Sequence, residues 1–291
     1  MSVQRLLRQH GLRPRQRLGQ RFLADEGVLA RIVAAAEIAP TDTVVEVGPG
    51  LGSLTRALAV QAGRVIAVEL DAQLVAVLHQ CLPDCPNVTI VQGDILQLAP
   101  AENIPLDDGD ILQLAPAELV GPHVPYLVVA NLPYYITSPV LRHFLEASRP
   151  PERLVLMIQK EVAQRILATP GHLNLLAVSV QFYARPRLVG HVPAAAFYPR
   201  PQVDSAIVRL DVYHQPPVPV DDVPQFFLVV AACFGQRRKQ LKNALAHGLW
   251  LPVAIATEAL AAAGIAPQQR AESLSLDDWA RLAPRLQVGE Y

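Results

Sequence analysis

Residues 43–52 read TVVEVGPGLG. Thr43–Val47 is a short β-branched run, and a helix-forming stretch opens at Ser53, so the glycines mark a strand–turn–helix junction. Gly48, Gly50 and Gly52 permit a tight turn and let backbone approach a ligand closely. Two features separate this turn from one that holds a dinucleotide. Its spacing is G-x-G-x-G rather than G-x-G-x-x-G, and Glu46 stands two residues before the first glycine. A carboxylate there repels a pyrophosphate. It suits the cationic end of S-adenosyl-L-methionine, directly or through water. Glu69 ends the next strand, 17 residues past Gly52, where a carboxylate accepts both hydroxyls of a ribose.

Outward from this turn, strands and helices alternate. Residues 25–38 carry apolar positions at Val28, Leu29, Ile32, Val33 and Ala36, a helical period. Strands are predicted at Thr43–Val47, Arg64–Val68, Val88–Gln92, Tyr126–Ala130, Arg153–Ile158 and Val203–Val212. Helices are predicted from Ser53, over 72–81 with Asp71 as cap, and near 138–147, 160–168 and 173–183. The alternation predicts an open α/β sheet with helices on both faces; with the donor suggested by the Glu46 turn, the expected fold is a Rossmann-like S-adenosylmethionine-dependent methyltransferase sheet. After Val212 the prolines Pro216, Pro217, Pro219 and Pro224 mark a linker. Beyond it only helix-like stretches follow. The expected organisation is a methyltransferase domain over 1–213 with a basic N-terminal segment, a linker over 214–224, and a small C-terminal all-α domain over 225–291.

The segment Gly93–Glu102, GDILQLAPAE, recurs unchanged at Gly109–Glu118. Two copies do not make a solenoid; a tandem duplication in a surface loop accounts for them, since loop insertions cost little closure entropy. Each copy offers a carboxylate, Asp94 or Asp110. Asp94 directly follows the strand-like NVTIVQG, whereas Asp110 follows the loop-like NIPLDDG. Asp94 is therefore the carboxylate expected to accept a hydrogen bond from the cofactor's adenine amine.

Composition narrows the class. The chain has 291 residues, of which 51% are hydrophobic. No apolar run reaches the roughly 18 residues of a membrane span, and the arginine-rich N-terminus has no apolar stretch of a secretory signal. A soluble cytoplasmic protein is expected. Cys81, Cys85 and Cys233 have neither disulfide nor zinc spacing, so no metal is expected. The net charge of −1 conceals an asymmetry. The first 21 residues hold six arginines and no acid, and Arg237, Arg238, Lys239 and Lys242 lie in an acid-free stretch between Asp222 and Glu258. Basic clusters on a neutral chain point to a polyanion met by local faces.

Asn131-Leu132-Pro133-Tyr134 directly follows the strand Tyr126–Ala130, at the end of the sheet where α/β folds bind ligands. The exocyclic amine of adenine is a poor nucleophile because its lone pair is delocalised into the ring. The Asn131 side-chain oxygen and the Leu132 carbonyl can accept its two N–H bonds and favour a pyramidal nitrogen. Tyr134 can stack on the base.

These residues resemble the ribosomal RNA adenine N6,N6-dimethyltransferases, called KsgA in bacteria. The resemblance runs from Arg17-Leu-Gly-Gln-Arg-Phe-Leu23 through Glu46–Gly52, Val68-Glu-Leu-Asp71 and Asn131–Tyr135. It continues through Met157-Ile-Gln-Lys-Glu161 and Phe197-Tyr-Pro-Arg-Pro-Gln-Val-Asp-Ser205 to Phe234-Gly-Gln-Arg-Arg-Lys239. It implies cofactor contacts from Gln20, Arg21 and Leu23, from Glu69 and Leu70, from Asp94 and Ile95, and from Asn131, besides the glycine turn. It also implies that Phe197 faces Tyr134 across the target base. Arg21 stands where the family usually has Asn or His. The implied reaction is dimethylation of N6 of adjacent adenines in a loop of small-subunit ribosomal RNA during ribosome assembly, by a monomer. Related enzymes act on large-subunit RNA; the wording of the Asn131–Tyr134 and Met157–Glu161 motifs and the helical tail resemble the small-subunit branch.

Overall fold

The computed structural model describes residues 2–97, 120–121, 124–236 and 238–286. In chain order the first elements are α1 (Val3–Gln9), β1 (Phe22–Leu23), α2 (Glu26–Ala36), β2 (Thr43–Val47), α3 (Ser53–Ala59), β3 (Arg64–Glu69), α4 (Ala72–Cys81) and β4 (Val88–Gln92). Then come β5 (Tyr126–Asn131), α5 (Thr137–Leu145), β6 (Arg153–Gln159), α6 (Lys160–Ile166), α7 (Leu175–Tyr183), β7 (Ala184–Val192), β8 (Phe197–Tyr198) and β9 (Ser205–Val212). The remainder is helical: α8 (Val223–Phe234), α9 (Leu241–Gly248), α10 (Val253–Ala262) and α11 (Leu276–Leu282).

Every residue of β2 is buried. A strand covered on both faces reads as a continuous apolar run and sits inside a parallel sheet. The sheet order is β4-β3-β2-β5-β6-β9-β7. β2 pairs in parallel with β3 on one edge and β5 on the other, and β9 runs antiparallel to β6. The chain thus leaves β2 toward β3 and later returns to its opposite edge, so the ends of β2 and β5 flank a topological switch point, where α/β sheets open a crevice. Local chemistry agrees with the tertiary outcome. The Asp25 side chain caps α2 and Asp71 caps α4, each accepting a backbone N–H of the first turn.

The chain forms two compact units, Met1–Ala163 with Pro186–Val212, and Gln164–Arg185 with Tyr213–Tyr291. The sequence reading drew one cut after residue 213. In the structure α7 packs with the C-terminal helices instead: Ala177, Val178 and Phe182 share a core with Phe226, Val230 and Trp279. The segment read as a linker is pinned too, since Val218 is buried in that core. The sequence reading also missed α1, β7 and the two-residue pair β1–β8, all too short or too weakly patterned to announce themselves. The second copy of GDILQLAPAE, Asp110 included, and Arg237 lie outside the described residues.

Helix α2 ends at Glu37, which adopts a left-handed conformation with φ 47°. The last carbonyls of α2 are taken by arginines from the sheet. Arg209 donates to Ala35 O at 2.9 Å and Arg153 to Ala36 O at 2.6 Å. Arg209 is 5% exposed and bridges Glu37 and Asp211, each at 2.7 Å. Hydrogen bonds from Arg209 hold the Glu37 carboxyl below its usual range. Burial pushes Asp211 up, but bonds from Arg209 and Arg153 outweigh it and leave its carboxyl lowered as well. Carboxylates lowered in the fold contribute stability that is present at neutral pH and lost as pH falls below the ordinary carboxylate range of about 4. Arg209→Met is expected to cost about 2 kcal/mol of stability at pH 7, the scale of a hydrogen bond to a charged group. The deficit should shrink at pH 3; urea midpoints at both pH values check it, and an equal deficit at both would place the role of Arg209 in packing alone.

Candidate functional site

The crevice at the switch point is lined by Gln20, Arg21 and Leu23, by Glu46, Gly48 and Gly50, by Glu69 and Leu70, by Asp94 and Ile95, and by Asn131, Leu132, Pro133 and Tyr134. Residues separated by more than a hundred positions thus meet at one set of strand ends, as the sheet order requires.

The glycine turn earns its composition. Gly48, Gly50 and Gly52 all have positive φ, 68°, 62° and 81°, a region that costs other residues about 1–2 kcal/mol. Gly50 N–H donates to Glu69 Oε2 at 3.1 Å, and Asp71 N–H to Glu69 Oε1 at 3.0 Å. Both carboxylate oxygens are thereby oriented, with lone pairs remaining for a ligand. Burial raises the Glu69 carboxyl, and the two backbone bonds oppose that.

Glu46 is 1% exposed in the centre of the sheet, and its Oε2 has no hydrogen-bond partner. Burial pushes this carboxyl up to about 8; the nearby Thr55 hydroxyl, itself without a well-formed hydrogen bond, offsets part of the push, and the Glu69 charge adds to it. A buried carboxyl with a vacant acceptor is costly. A cation in the cleft would relieve it.

Asp94 lies on the crevice beyond β4, and its Oδ1 is held by Leu96 N–H at 3.0 Å. Across the cleft, Asn131 Nδ2 donates to the Arg21 carbonyl at 3.0 Å. With the nitrogen so engaged, the side-chain oxygen is the end left to accept. Arg21 serves here through its backbone. Leu132 N–H is held by Met157 O at 3.2 Å, which fixes the turn. The Tyr134 hydroxyl shares a 2.8 Å hydrogen bond with the buried Ser205 hydroxyl, and burial raises its pKa while that bond opposes it.

Two expected site residues fall elsewhere. Phe197 is 4% exposed and packs in the core with Leu23, Val28 and Ile32 rather than on the crevice. β8 pairs with β1 so that Phe197 lies opposite Leu23, and Tyr198 opposite Phe22, and the Phe197 ring is taken up by the core side chains around it. Gly52 does not line the crevice either. A Cβ there would meet Leu78 Cδ2 at 3.0 Å, so this glycine lets α3 approach α4. Arg238, Lys239 and Lys242 belong to the second unit.

Sequence reasoning overlooked how the N-terminal segment is fastened. Arg15 pairs with Asp71 at 3.0 Å, and Gln20 Nε2 donates to Asp71 at 2.9 Å. Gly19, with φ 62°, lies so close to the acceptor turn that a Cβ would meet Pro133 and Tyr135 at 3.3 Å. The only signal was the glycine beside the amide in L-G-Q.

A family model described as ribosomal RNA adenine dimethylase matches residues 11–287. The chain belongs to the ribosomal RNA adenine dimethylase family. It is 46% identical over 281 residues to the Dehalococcoides mccartyi protein named Ribosomal RNA small subunit methyltransferase A, covering 97% of this chain and 91% of that one. The Moorella thermoacetica protein of the same name is 45% identical over 284 residues, 97% and 96% of the two chains. Among solved structures, the 23S rRNA methyltransferase ErmE is 29% identical with a TM-score of 0.69 over 91% of this chain and 99% of that one. A dimethyladenosine transferase from Plasmodium falciparum, 24% identical, shares the fold with a TM-score of 0.70 over 90% and 95%. Membership makes the chain an S-adenosylmethionine-dependent rRNA adenine dimethyltransferase. The crevice fits that donor: a buried carboxyl at Glu46 with Oε2 unpartnered, an oriented carboxylate at Glu69 and a third acid at Asp94 match an ammonium or sulfonium, two ribose hydroxyls and an adenine amine. Among the described residues no group of side chains could hold a metal, and no helix is long and apolar enough to cross a membrane.

The raised Glu46 carboxyl has a signed consequence. Its unfolded value is 4.5 and its folded value about 8. Between these the unfolded chain sheds its proton first, so stability of the ligand-free protein falls as pH rises through that window. Glu46→Gln is expected to flatten this fall and to raise the urea midpoint at pH 8, while weakening S-adenosylmethionine binding by calorimetry. An unaltered pH slope would mean that Glu46 is already charged without ligand.

Proposed function

We propose that the protein transfers two methyl groups to N6 of adjacent loop adenines in small-subunit ribosomal RNA, acting as a cytoplasmic monomer on a pre-ribosomal particle. The small-subunit assignment is supported by the names of relatives that are 45–46% identical across nearly the full chain, against 29% for the large-subunit enzyme ErmE. The observation that carries the chemistry is the Asn131 amide. Its nitrogen is engaged by Arg21, so its oxygen is the free acceptor beside the crevice.

S-adenosylmethionine supplies an electrophilic methyl group on a cationic sulfur. Glu46 and Glu69 orient the donor's charged and ribose ends, and Asp94 its adenine. The target adenine is unstacked to reach the crevice, which favours a loop nucleotide over a paired one. Asn131 Oδ1 and the Leu132 carbonyl accept the two N–H bonds of its amine. That withdraws the nitrogen from planarity and aims its lone pair along the transfer line. Tyr134, anchored through its hydroxyl to Ser205, stacks on the ring. Pro133 fixes the turn that carries both groups. As the new N–C bond forms, the methyl–sulfur bond of the donor breaks and leaves a neutral thioether, and the proton displaced from nitrogen departs to solvent. After the first transfer one N–H remains for Asn131, a neutral amide that tolerates losing the second bond, so the monomethyl species is consumed and dimethyladenine accumulates. The basic residues Arg237, Arg238, Lys239 and Lys242 bind the RNA backbone from the second unit.

Asn131→Ala is expected to lower methyl transfer about 10²–10³-fold with cofactor binding still measurable. Mass spectrometry of digested RNA over time reads both the rate and the mono- to dimethyl ratio; near-normal turnover would remove Asn131 from the reaction. Replacing Arg237, Arg238, Lys239 and Lys242 together by Ala should reduce the slope of log affinity against log salt by up to about 0.7–0.9 per lost phosphate contact. A parental slope would place the tail away from RNA.

A further inference from the structure

Helix α9 ends in a tight reversal. Leu249 caps it, and Leu251 N–H returns to the Ala246 carbonyl at 2.9 Å. This is the six-to-one bond of a Schellman motif, whose left-handed position is usually glycine. Here that position holds Trp250, with φ 55°. The largest side chain thus sits where the smallest is favoured. Its ring does not repay the strain by burial, because Trp250 is 87% exposed. The helix end itself is firmly placed: Leu249 is buried, and a Cβ on Gly248 would meet the Ala232 carbonyl at 2.8 Å, so α9 lies directly on α8 at this point. The indole is therefore held out from a rigid corner, stacked on the exposed His247 ring at 6.2 Å and 23°.

Strained backbone that packing does not explain concentrates at functional sites. The surroundings select the ligand. From Val223 to Thr257 the chain contains no acid. Arg238 and Lys239 are exposed just before α9 and Lys242 stands in its first turn; among the described residues none of the three makes an ion pair. Eight helical residues span about 12 Å, so a cationic end and an aromatic end face solvent within the length of one short helix. Phosphate-binding cations one short helix away from a stacking ring are the two elements of single-strand recognition.

Resting on the rRNA-substrate reading above, we propose that Trp250, backed by His247, is a stacking platform for an unpaired base of the RNA, a binding site in the helical unit separate from the methyl-transfer crevice. One base on an aromatic ring contributes about 5- to 150-fold in affinity. Trp250→Gly is the informative variant, because glycine suits the left-handed position and the fold should be retained or stabilised. In the full-length protein its urea midpoint is expected to be equal or higher. Its affinity for protein-free small-subunit rRNA should fall within that range, while kcat at saturating RNA is unchanged. Trp250→Tyr should restore most of the affinity. The other tryptophan, Trp279, is fully buried, so RNA-dependent quenching of indole fluorescence should disappear in the glycine variant. Parental affinity and quenching in Trp250→Gly would overturn the proposal. So would a loss seen only with particles containing ribosomal proteins and not with bare rRNA, which would assign the ring to a protein surface. Failure of the unaltered protein to methylate small-subunit rRNA either bare or in pre-ribosomal particles would instead overturn the substrate reading.

Discussion

The parallel pairing of β2 with β3 on one side and β5 on the other is the constraint on which the site depends. It sends the chain away from β2 in one direction and brings it back on the other, so the loops after β2 and β5 cannot close over each other. Cofactor turn and acceptor turn then open into the same crevice. The pairing also fixes Glu46 inside a sheet where every neighbouring position is apolar and buried. A carboxyl in that place opposes folding once charged, so the local rule is broken where the ligand's charge is needed.

A second constraint is supplied by the short segment Arg15–Leu23. Its members touch the loops after β2, β3 and β5: Arg15 and Gln20 on Asp71, Gly19 on Pro133 and Tyr135, the Arg21 carbonyl on Asn131, and the Phe22 ring against Gly50. The register of β1 with β8 holds this segment to the body of the unit. One wall is thus common to the donor and acceptor halves, and a shift of that wall would alter both. Holding donor and acceptor loops on one wall is pre-organisation of the two reactants.

The second unit has a different character. Its largely aliphatic core holds a cluster of aromatic rings, Phe182, Phe226 and Phe227 within about 5 Å of one another and Phe234 against Trp279. The corner that carries the unfavourable backbone angle at Trp250 is placed by buried Leu249 and by the close approach of Gly248 to Ala232.

Much of this was legible in the amino-acid sequence. The glycine turn, the acid before it, the Asn131–Tyr134 turn and the alternation of elements depend on local chemistry and short periods, and they determined the fold class, the donor and the reaction. The helix start at Asp71 was readable for the same reason, since a cap is a contact between near neighbours. What depends on long-range register was decided by the tertiary structure alone. Phe197 has the right residue type and motif for a base-facing wall, yet its ring packs in the core with Val28 and Ile32. Gly52 belongs to the cofactor motif but serves helix packing. α7 precedes the last strands in the chain but joins the C-terminal helices, because its apolar face finds its complement there. The orientation of the Asn131 amide follows from a carbonyl 110 positions away. Pattern in a sequence reports what a residue is and what its neighbours are. Which face it turns to the ligand is set by strand pairing, and pairing is a property of the whole sheet.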